Sequence, residues 1–119
     1  MTVPDRAQVA RTWTELIAGR ITRADAHAWA VPWVEDEPER VADPMCRTAL
    51  LHLHGFDQAW TGDDLVGHGV SLDWLHSDED IASAFTRWRT AAAEYDRDPA
   101  GHVAGIRRRT LAQRRRPES

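Results

Sequence analysis

The sequence contains no lysine, so all 15 of its basic residues are arginine. This absence excludes chemistry that needs a lysine amine, such as a Walker-type phosphate-binding loop or a Schiff base. A single cysteine, Cys46, excludes an intrachain disulfide framework and is typical of a reducing compartment. No apolar run reaches the about 18 residues of a membrane span, and residues 1–11 lack the apolar core of a signal peptide. We therefore expect a cytoplasmic protein that does not insert into a membrane.

Charge is distributed unevenly along the chain. Residues 1–96 contain 17 acidic and 8 basic side chains, a balance of −9, whereas residues 97–119 contain 7 arginines and 2 acids, a balance of +5. Regions of one sign attract molecules of the opposite sign and repel those of the same sign. An acidic body followed by an arginine-rich end is therefore typical of a protein that acts by contact with a partner.

Length and apolar content indicate one folded domain. A chain of 119 residues with 42% hydrophobic residues and six tryptophans can bury a modest core. Apolar residues recur with the period of a helix in five segments. We predict an all-α fold, a compact bundle of about five helices in a single domain over residues 1–119, with an arginine-rich C-terminal helix and tail over 99–119.

Helix-start signals recur through the sequence. Thr22–Asp25 and Ser77–Asp80 resemble capping boxes, and Asp43-Pro44 and Asp98-Pro99 each place a capping aspartate before a proline. Pro32 is expected to kink or end the second helix, because proline lacks the backbone N–H. In the last helix, apolar spacing predicts an inward face that contains Val103, Ile106, Thr110 and Leu111.

The helical pattern fails between residues 56 and 76, where glycine and aspartate are frequent. We predict a long acidic loop here, with a short extended piece at Val70–Trp74. A loop of about 20 residues is unusual in a small domain and suggests a function. Residues 57–80 contain seven acids and no arginine, a pattern that favours fast association with a basic protein.

Two tryptophans, Trp60 and Trp74, flank the acidic part of this loop without belonging to a helical face. Aromatic side chains surrounded by charge are favoured at protein interfaces. The alternative is that they pin the loop to the helices through their large apolar area. The predicted partner-binding residues are Asp57, Trp60, Asp63, Asp64, Asp73 and Trp74.

Several segments, in this order, resemble a group of small bacterial proteins that are similar to immunity proteins of polymorphic toxin systems. The segments are Trp13–Leu16, 21–30 (ITRADAHAWA), Asp43-Pro44, Ala49-Leu50, Gly55–Asp57 and Trp74–Ile81 (WLHSDEDI). The resemblance covers most of residues 10–95 and excludes the arginine-rich tail. It implies a helical fold and a contact function, and it brings no catalytic residues. Together with the acidic, tryptophan-flanked loop, it suggests an immunity protein that neutralises a basic toxin through that loop.

The arginines support an alternative function, a nucleic-acid-associated regulator. Two clusters of three would attract phosphate. The acidic body would repel it, however, and the second helix carries Trp29 and Trp33 where a reading helix presents arginine, asparagine or glutamine. The clusters are Arg107, Arg108 and Arg109, then Arg114, Arg115 and Arg116.

No constellation typical of catalysis is present, so we predict neither an enzyme nor a cofactor. Cys46 lies near a predicted helix start, where the helix dipole would favour a thiolate, but the sequence places no base beside it. His52 and His54 would point about 200° apart on a helix, and no H-E-x-x-H motif is present, so no metal site is predicted. A weaker alternative is a metal-dependent enzyme that uses His52, His54, His68 and His76.

Overall fold

Five α-helices and one β-hairpin make up the part of the chain that the structure, a computed structural model, describes: residues 2–62 and 65–114. The predicted, mostly helical fold class is confirmed. The elements are α1 (Arg6–Ile17), α2 (Arg23–Val31), α3 (Pro44–Gly55), β1 (Gln58–Trp60), β2 (Val66–His68), α4 (Asp78–Arg97) and α5 (Pro99–Arg114). No helix within the described residues has the length and apolar character needed to cross a membrane. The chain divides into two compact units, Met1–Trp88 and Arg89–Ser119. The single domain over residues 1–119 stays a prediction.

The predicted helix caps are present as hydrogen bonds. Thr22 Oγ1 accepts from the backbone N–H of Asp25 at 3.0 Å, and Asp25 Oδ2 accepts from the N–H of Thr22 at 2.9 Å. Ser77 and Asp80 exchange the same pair of bonds at 3.0 and 3.1 Å. These bonds satisfy N–H groups at the helix start that no carbonyl of the helix can reach. Short-range sequence signals therefore fix where α2 and α4 begin.

Pro32 ends α2 as predicted, and the chain continues in a wide π-helical turn over Pro32–Asp36. Proline removes the N–H that would continue the α-helical ladder, so the backbone adopts a looser turn. A short 3₁₀ turn over Pro38–Arg40 then leads to α3. The π-helical turn matters for the site because it carries Glu35, whose carboxylate reaches His54 near the end of α3.

Trp13 is central to the core of the first unit. Its side chain is completely buried, and its ring centroid lies 5.6 Å from that of Phe56 and 5.8 Å from that of Trp88. Its indole N–H donates to the carbonyl of Ile81 at 3.1 Å, and the indole N–H of Trp88 donates to the carbonyl of Met45 at 2.8 Å. Because both buried N–H groups are paired, the core keeps its aromatic packing without an unsatisfied indole donor.

Residues 56–76 contain a β-hairpin in addition to the predicted loop. β1 pairs antiparallel with β2, so that Gln58 lies opposite His68. The predicted extended piece at Val70–Trp74 is reduced to a single bridge between Trp74 and Ala59, on the other edge of β1. Strands of three residues are too short to show the alternating pattern that identifies a strand in a sequence.

Arg23 holds the two ends of this hairpin segment. Its side chain is buried, and its Nη1 donates to the carbonyls of Phe56 at 3.1 Å and His76 at 2.5 Å. Its Nη2 donates to the carboxylate of Asp78 at 3.0 Å, and the guanidinium lies 4.6 Å from the ring centroid of Trp74. One side chain at the start of α2 therefore binds the end of α3 and the approach to α4.

The second unit contains the end of α4 and all of α5. The predicted inward face of α5 is wrong, since Val103, Ile106, Thr110 and Leu111 are all exposed. His102 is buried instead, with its ring edge against Tyr95 at 5.9 Å between centroids. Within the second unit, α5 has only the end of α4 as a helical neighbour among the described residues. It therefore buries only a narrow stripe of its surface, and His102 lies in that stripe.

Arg23→Met should lower the free energy of unfolding by about 2–4 kcal/mol, because two backbone carbonyls lose their donor in a buried setting. Arg20→Met is the matched control, since the Arg20 side chain is 63% exposed and pairs with the surface residue Glu15. The control should change stability by less than about 0.5 kcal/mol. Urea denaturation followed by circular dichroism measures both, and equal losses in the two variants would contradict the role of Arg23.

Asp43 should make stability depend on pH. Arg6 donates to its carboxylate from Nε at 2.6 Å and from Nη2 at 3.2 Å, and these bonds hold the pKa of Asp43 below its usual value of 3.8. Because the folded state has the lower pKa, the stabilisation is complete above about pH 4 and is lost as pH falls through the folded-state value. Asp43→Asn should therefore reduce the urea midpoint more at pH 6 than at pH 2.5; an equal reduction at both would refute the linkage.

Candidate functional site

Exposed apolar side chains concentrate on the hairpin and on the segment that follows it. We call these five residues the hairpin surface: Trp60, Leu65, Val66, Val70 and Leu72. Leu65 and Leu72 are 67% and 85% exposed. Elsewhere in the described residues, the large exposed apolar side chains are spread over α1, α3 and α5. Scattered apolar side chains are normal on a protein surface, whereas a local concentration of them is typical of a binding site.

Local backbone bonds hold the hairpin surface in place. Trp60 lies opposite Val66 in the antiparallel pair, so their side chains share one face. The segment after β2 returns alongside β1, because the Trp60 N–H donates to the carbonyl of Asp73 at 2.9 Å and the Ser71 hydroxyl donates to the carbonyl of Trp60 at 2.7 Å. Gly67 is needed beneath Val70, since a Cβ there would lie 2.9 Å from Val70 Cγ1.

The predicted partner-binding residues differ in their exposure to solvent. Trp60 and Asp73 are exposed and lie on or beside the hairpin surface. Trp74 is half-buried beneath the guanidinium of Arg23, which favours the alternative that it pins the segment to the helices. Asp63 and Asp64, between β1 and β2 in the sequence, lie outside the described residues.

Asp57 is not available to a partner and is removed from the predicted surface. Its side chain is buried, and its Oδ1 lies 2.5 Å from His68 Nδ1 and 3.3 Å from His27 Nδ1. Its backbone carbonyl accepts from the N–H of Gly69 at 2.8 Å. A carboxylate removed from water needs polar partners, and the two histidines supply them. Asp57 therefore organises the inside of the site.

Three histidines gather around this carboxylate, and we call them the histidine cluster: His27, His54 and His68. One ligating nitrogen from each ring lies within 4.8 Å of the other two. His27 comes from α2, His54 from the last turn of α3 and His68 from β2. On the outer side, Glu35 Oε2 lies 2.7 Å from His54 Nε2, and this hydrogen bond lowers the pKa of Glu35 below its usual value.

Sequence reasoning included His54 and His68 in its weaker metal alternative but missed His27. No local spacing connects these residues, because they are brought together by the packing of α2 on α3 and by the return of the hairpin. The predicted divergence of His52 from His54 on a helix is confirmed. His52 packs on Trp13 with 5.3 Å between centroids, and burial lowers the pKa of its ring.

His76, the fourth histidine of that alternative, is not in the cluster. Its ring lies edge-on to Phe56 with 5.6 Å between centroids, and its backbone carbonyl accepts from Arg23. The set of four histidines named by the sequence is therefore not assembled as one site. Only two of its members, His54 and His68, meet.

Cys46 is buried, and the environment opposes a thiolate. Its S–H donates a hydrogen bond to Asp43 Oδ2, with 3.4 Å between sulfur and oxygen. Burial, together with this negatively charged neighbour, raises the pKa of Cys46 to about 12. Desolvation of the Cys46 thiolate outweighs the expected stabilisation by the start of α3, because burial disfavours the charged form.

The arginines of the alternative nucleic-acid function are partly described. Arg107, Arg108 and Arg109 are exposed on α5, and Arg114 is the last residue of that helix. Arg115 and Arg116 lie outside the described residues. Consecutive residues of an α-helix point about 100° apart, so the first cluster spreads around the helix and does not form one basic face.

The Cys46 thiol should react slowly in the folded protein. At pH 8, a disulfide reagent such as Ellman's should modify it at least about tenfold more slowly than in protein unfolded by guanidinium, because the buried group is present as a thiol. Unfolding should release one reactive equivalent. Modification at the same rate in both states would show that the side chain is accessible and ionisable.

Comparison of the chain with protein-family models, with curated proteins and with solved structures found no match. Two arrangements in the first unit offer a basis for inferring the function. One is the hairpin surface, and the other is the histidine cluster with Asp57 and Glu35.

Proposed function

We propose that this is a protein-binding inhibitor of the immunity-protein type, acting in the bacterial cytoplasm by docking its hairpin surface on a basic protein. The observation that carries the proposal is the concentration of five exposed apolar side chains within residues 60–72. An apolar centre with a charged surround is the usual anatomy of a protein interface. The resemblance of most of residues 10–95 to small bacterial proteins that are similar to immunity proteins agrees with such a role.

The hairpin surface offers substantial apolar area to a partner. Complete burial of a leucine contributes roughly 1.5–3 kcal/mol, and Leu65 and Leu72 expose most of their area in this chain. Trp60 adds an aromatic ring of the kind found at binding hot spots. Because the backbone is held by the β1–β2 pairing and by the return segment, little ordering is required on binding.

Exposed carboxylates that lie near the hairpin surface in the sequence would select the partner. Asp73, Asp78, Glu79 and Asp80 are exposed in the described part of the segment. The sequence adds two more carboxylates between the strands, and it has no arginine from residue 57 to residue 80. A carboxylate-rich surface speeds association with a basic protein and rejects acidic ones. A toxin that binds nucleic acid presents such a basic surface, and carboxylates that cover it would compete with phosphate.

The alternative function, a nucleic-acid-associated regulator, is supported by the exposure of Arg107, Arg108 and Arg109. Truncation after Ile106 removes both arginine clusters and should abolish retention on DNA or RNA if this alternative is correct. It should leave protein binding intact if the hairpin surface is the docking site. The two functions are therefore separated by one truncation.

Leu65→Ser combined with Leu72→Ser should weaken partner binding at least about tenfold, because two apolar anchors are lost. Leu111→Ser is the control: this leucine is also exposed, but it lies on α5. The partner is first isolated by affinity capture on the full chain with nuclease present. Affinities of the purified partner for wild type and variants are then measured by biolayer interferometry. Equal affinity in all variants would overturn the proposal.

Reversal of charge at Asp73, as Asp73→Arg, should slow association with the same partner. Exposed charges act mainly on the association rate and are screened by salt, so the effect should be larger at 20 mM than at about 300 mM sodium chloride. Glu15→Arg, on α1, serves as a charge-matched control away from the hairpin in the sequence. An association rate that is insensitive to Asp73→Arg at low salt would contradict electrostatic selection of the partner.

A further inference from the structure

The three rings of the histidine cluster face one another closely. Their centroids are 4.4 Å apart for His27 and His54, 4.5 Å for His27 and His68, and 4.9 Å for His54 and His68. Neutral imidazole is the most frequent protein ligand of transition metals. The separations place three such ligands around a common region.

Hydrogen bonds fix the proton positions on two of the rings. His27 Nδ1 lies 2.7 Å from the carbonyl oxygen of His54, which can only accept, so this nitrogen carries the proton. His68 Nδ1 lies 2.5 Å from the carboxylate of Asp57, which likewise accepts. When these rings are neutral, the nitrogen lone pair of His27 and that of His68 therefore lie on Nε2.

His54 has the opposite arrangement. Its Nε2 lies 2.7 Å from Glu35 Oε2, so this nitrogen donates and the lone pair is on Nδ1. Each ring of the cluster therefore has an oxygen acceptor at one nitrogen and a lone pair at the other. Oxygen acceptors of this kind orient metal-bound histidines and raise their basicity. All three rings therefore have acceptors of the kind that form the outer shell of a metal site.

We propose that His27, His54 and His68 bind one zinc ion, with a fourth position left for water or for a side chain of a partner. Three imidazoles suit zinc, whereas calcium and magnesium prefer oxygen ligands. Ligands about 2.0–2.1 Å from a tetrahedral zinc ion are roughly 3.4 Å apart, so nitrogens that lie within 4.8 Å of one another must approach by up to about 1.4 Å. Side-chain rotation supplies that movement, most readily at His68, which is exposed, whereas His27 and His54 are half-buried.

Zinc at this position would join three elements. His27 and His54 belong to helices, and His68 belongs to the strand that carries Val66 of the hairpin surface. The ion would therefore fix β2 against α2 and α3. Because zinc would bind the folded chain and bridge distant residues, it should raise the midpoint of thermal unfolding by roughly 5 °C or more. This inference does not require the proposed docking function.

The test is calorimetric titration of the full chain, without a histidine tag and freed of metal by chelation, with zinc chloride. We expect one equivalent to bind, and magnesium chloride to give no binding. His27→Gln and His68→Gln should each weaken zinc binding more than about tenfold, and Asp57→Asn by roughly 10- to 100-fold. His76→Gln is the matched control, a half-buried histidine outside the cluster, and should leave affinity unchanged.

If the histidines serve only as hydrogen-bond partners of Asp57, the chain would bind no zinc, or His76→Gln would lose as much zinc affinity as His68→Gln. Either result overturns the proposal. A second measurement on the wild type covers the case in which a variant fails to fold. Paramagnetic cobalt, added as a substitute for zinc, should broaden the ring signals of His27, His54 and His68 before those of His52, His76 and His102. Uniform broadening would also overturn it.

Discussion

The guanidinium of Arg23 is the interaction on which the placement of the hairpin depends. It occupies a buried position and donates to two backbone carbonyls, those of Phe56 and His76. These carbonyls lie at the two ends of the hairpin segment, so their separation is fixed by one planar group. Asp78 and the ring of Trp74 complete its surroundings. With both ends fixed to α2, the segment between them can expose apolar side chains and still keep a defined backbone.

A second constraint acts inside the segment, through the buried carboxylate of Asp57. An acid at this position is costly unless it is paired, and the pairing draws His68 of β2 toward His27 of α2. The hairpin is therefore joined to the helices by polar contacts on its inner side while its apolar side chains remain exposed. This division explains why Asp57 and Asp73, both acids of one acidic segment, have different roles.

The sequence predicts those parts of the structure that depend on neighbours along the chain. Three such features follow from local geometry and are present in the structure. They are the helix caps at Thr22 and Ser77, the end of α2 at Pro32, and the divergence of His52 from His54. The hairpin was not predicted because three-residue strands carry no readable period. The histidine cluster was not predicted because its members lie 27 and 14 positions apart and meet only through tertiary packing.

The distribution of the tryptophans has a spectroscopic consequence. All six lie at or before Trp88, within the first unit, whereas the single tyrosine of the chain, Tyr95, lies in the second. Emission excited at the red edge of indole absorption therefore arises from the first unit alone. Trp13 and Trp88, which are buried, would report on its core, and Trp60, which is exposed, would report on its hairpin. Burial of Trp60 by a ligand should shift that component of the emission toward the blue, so the chain contains an intrinsic optical probe at the surface proposed for docking.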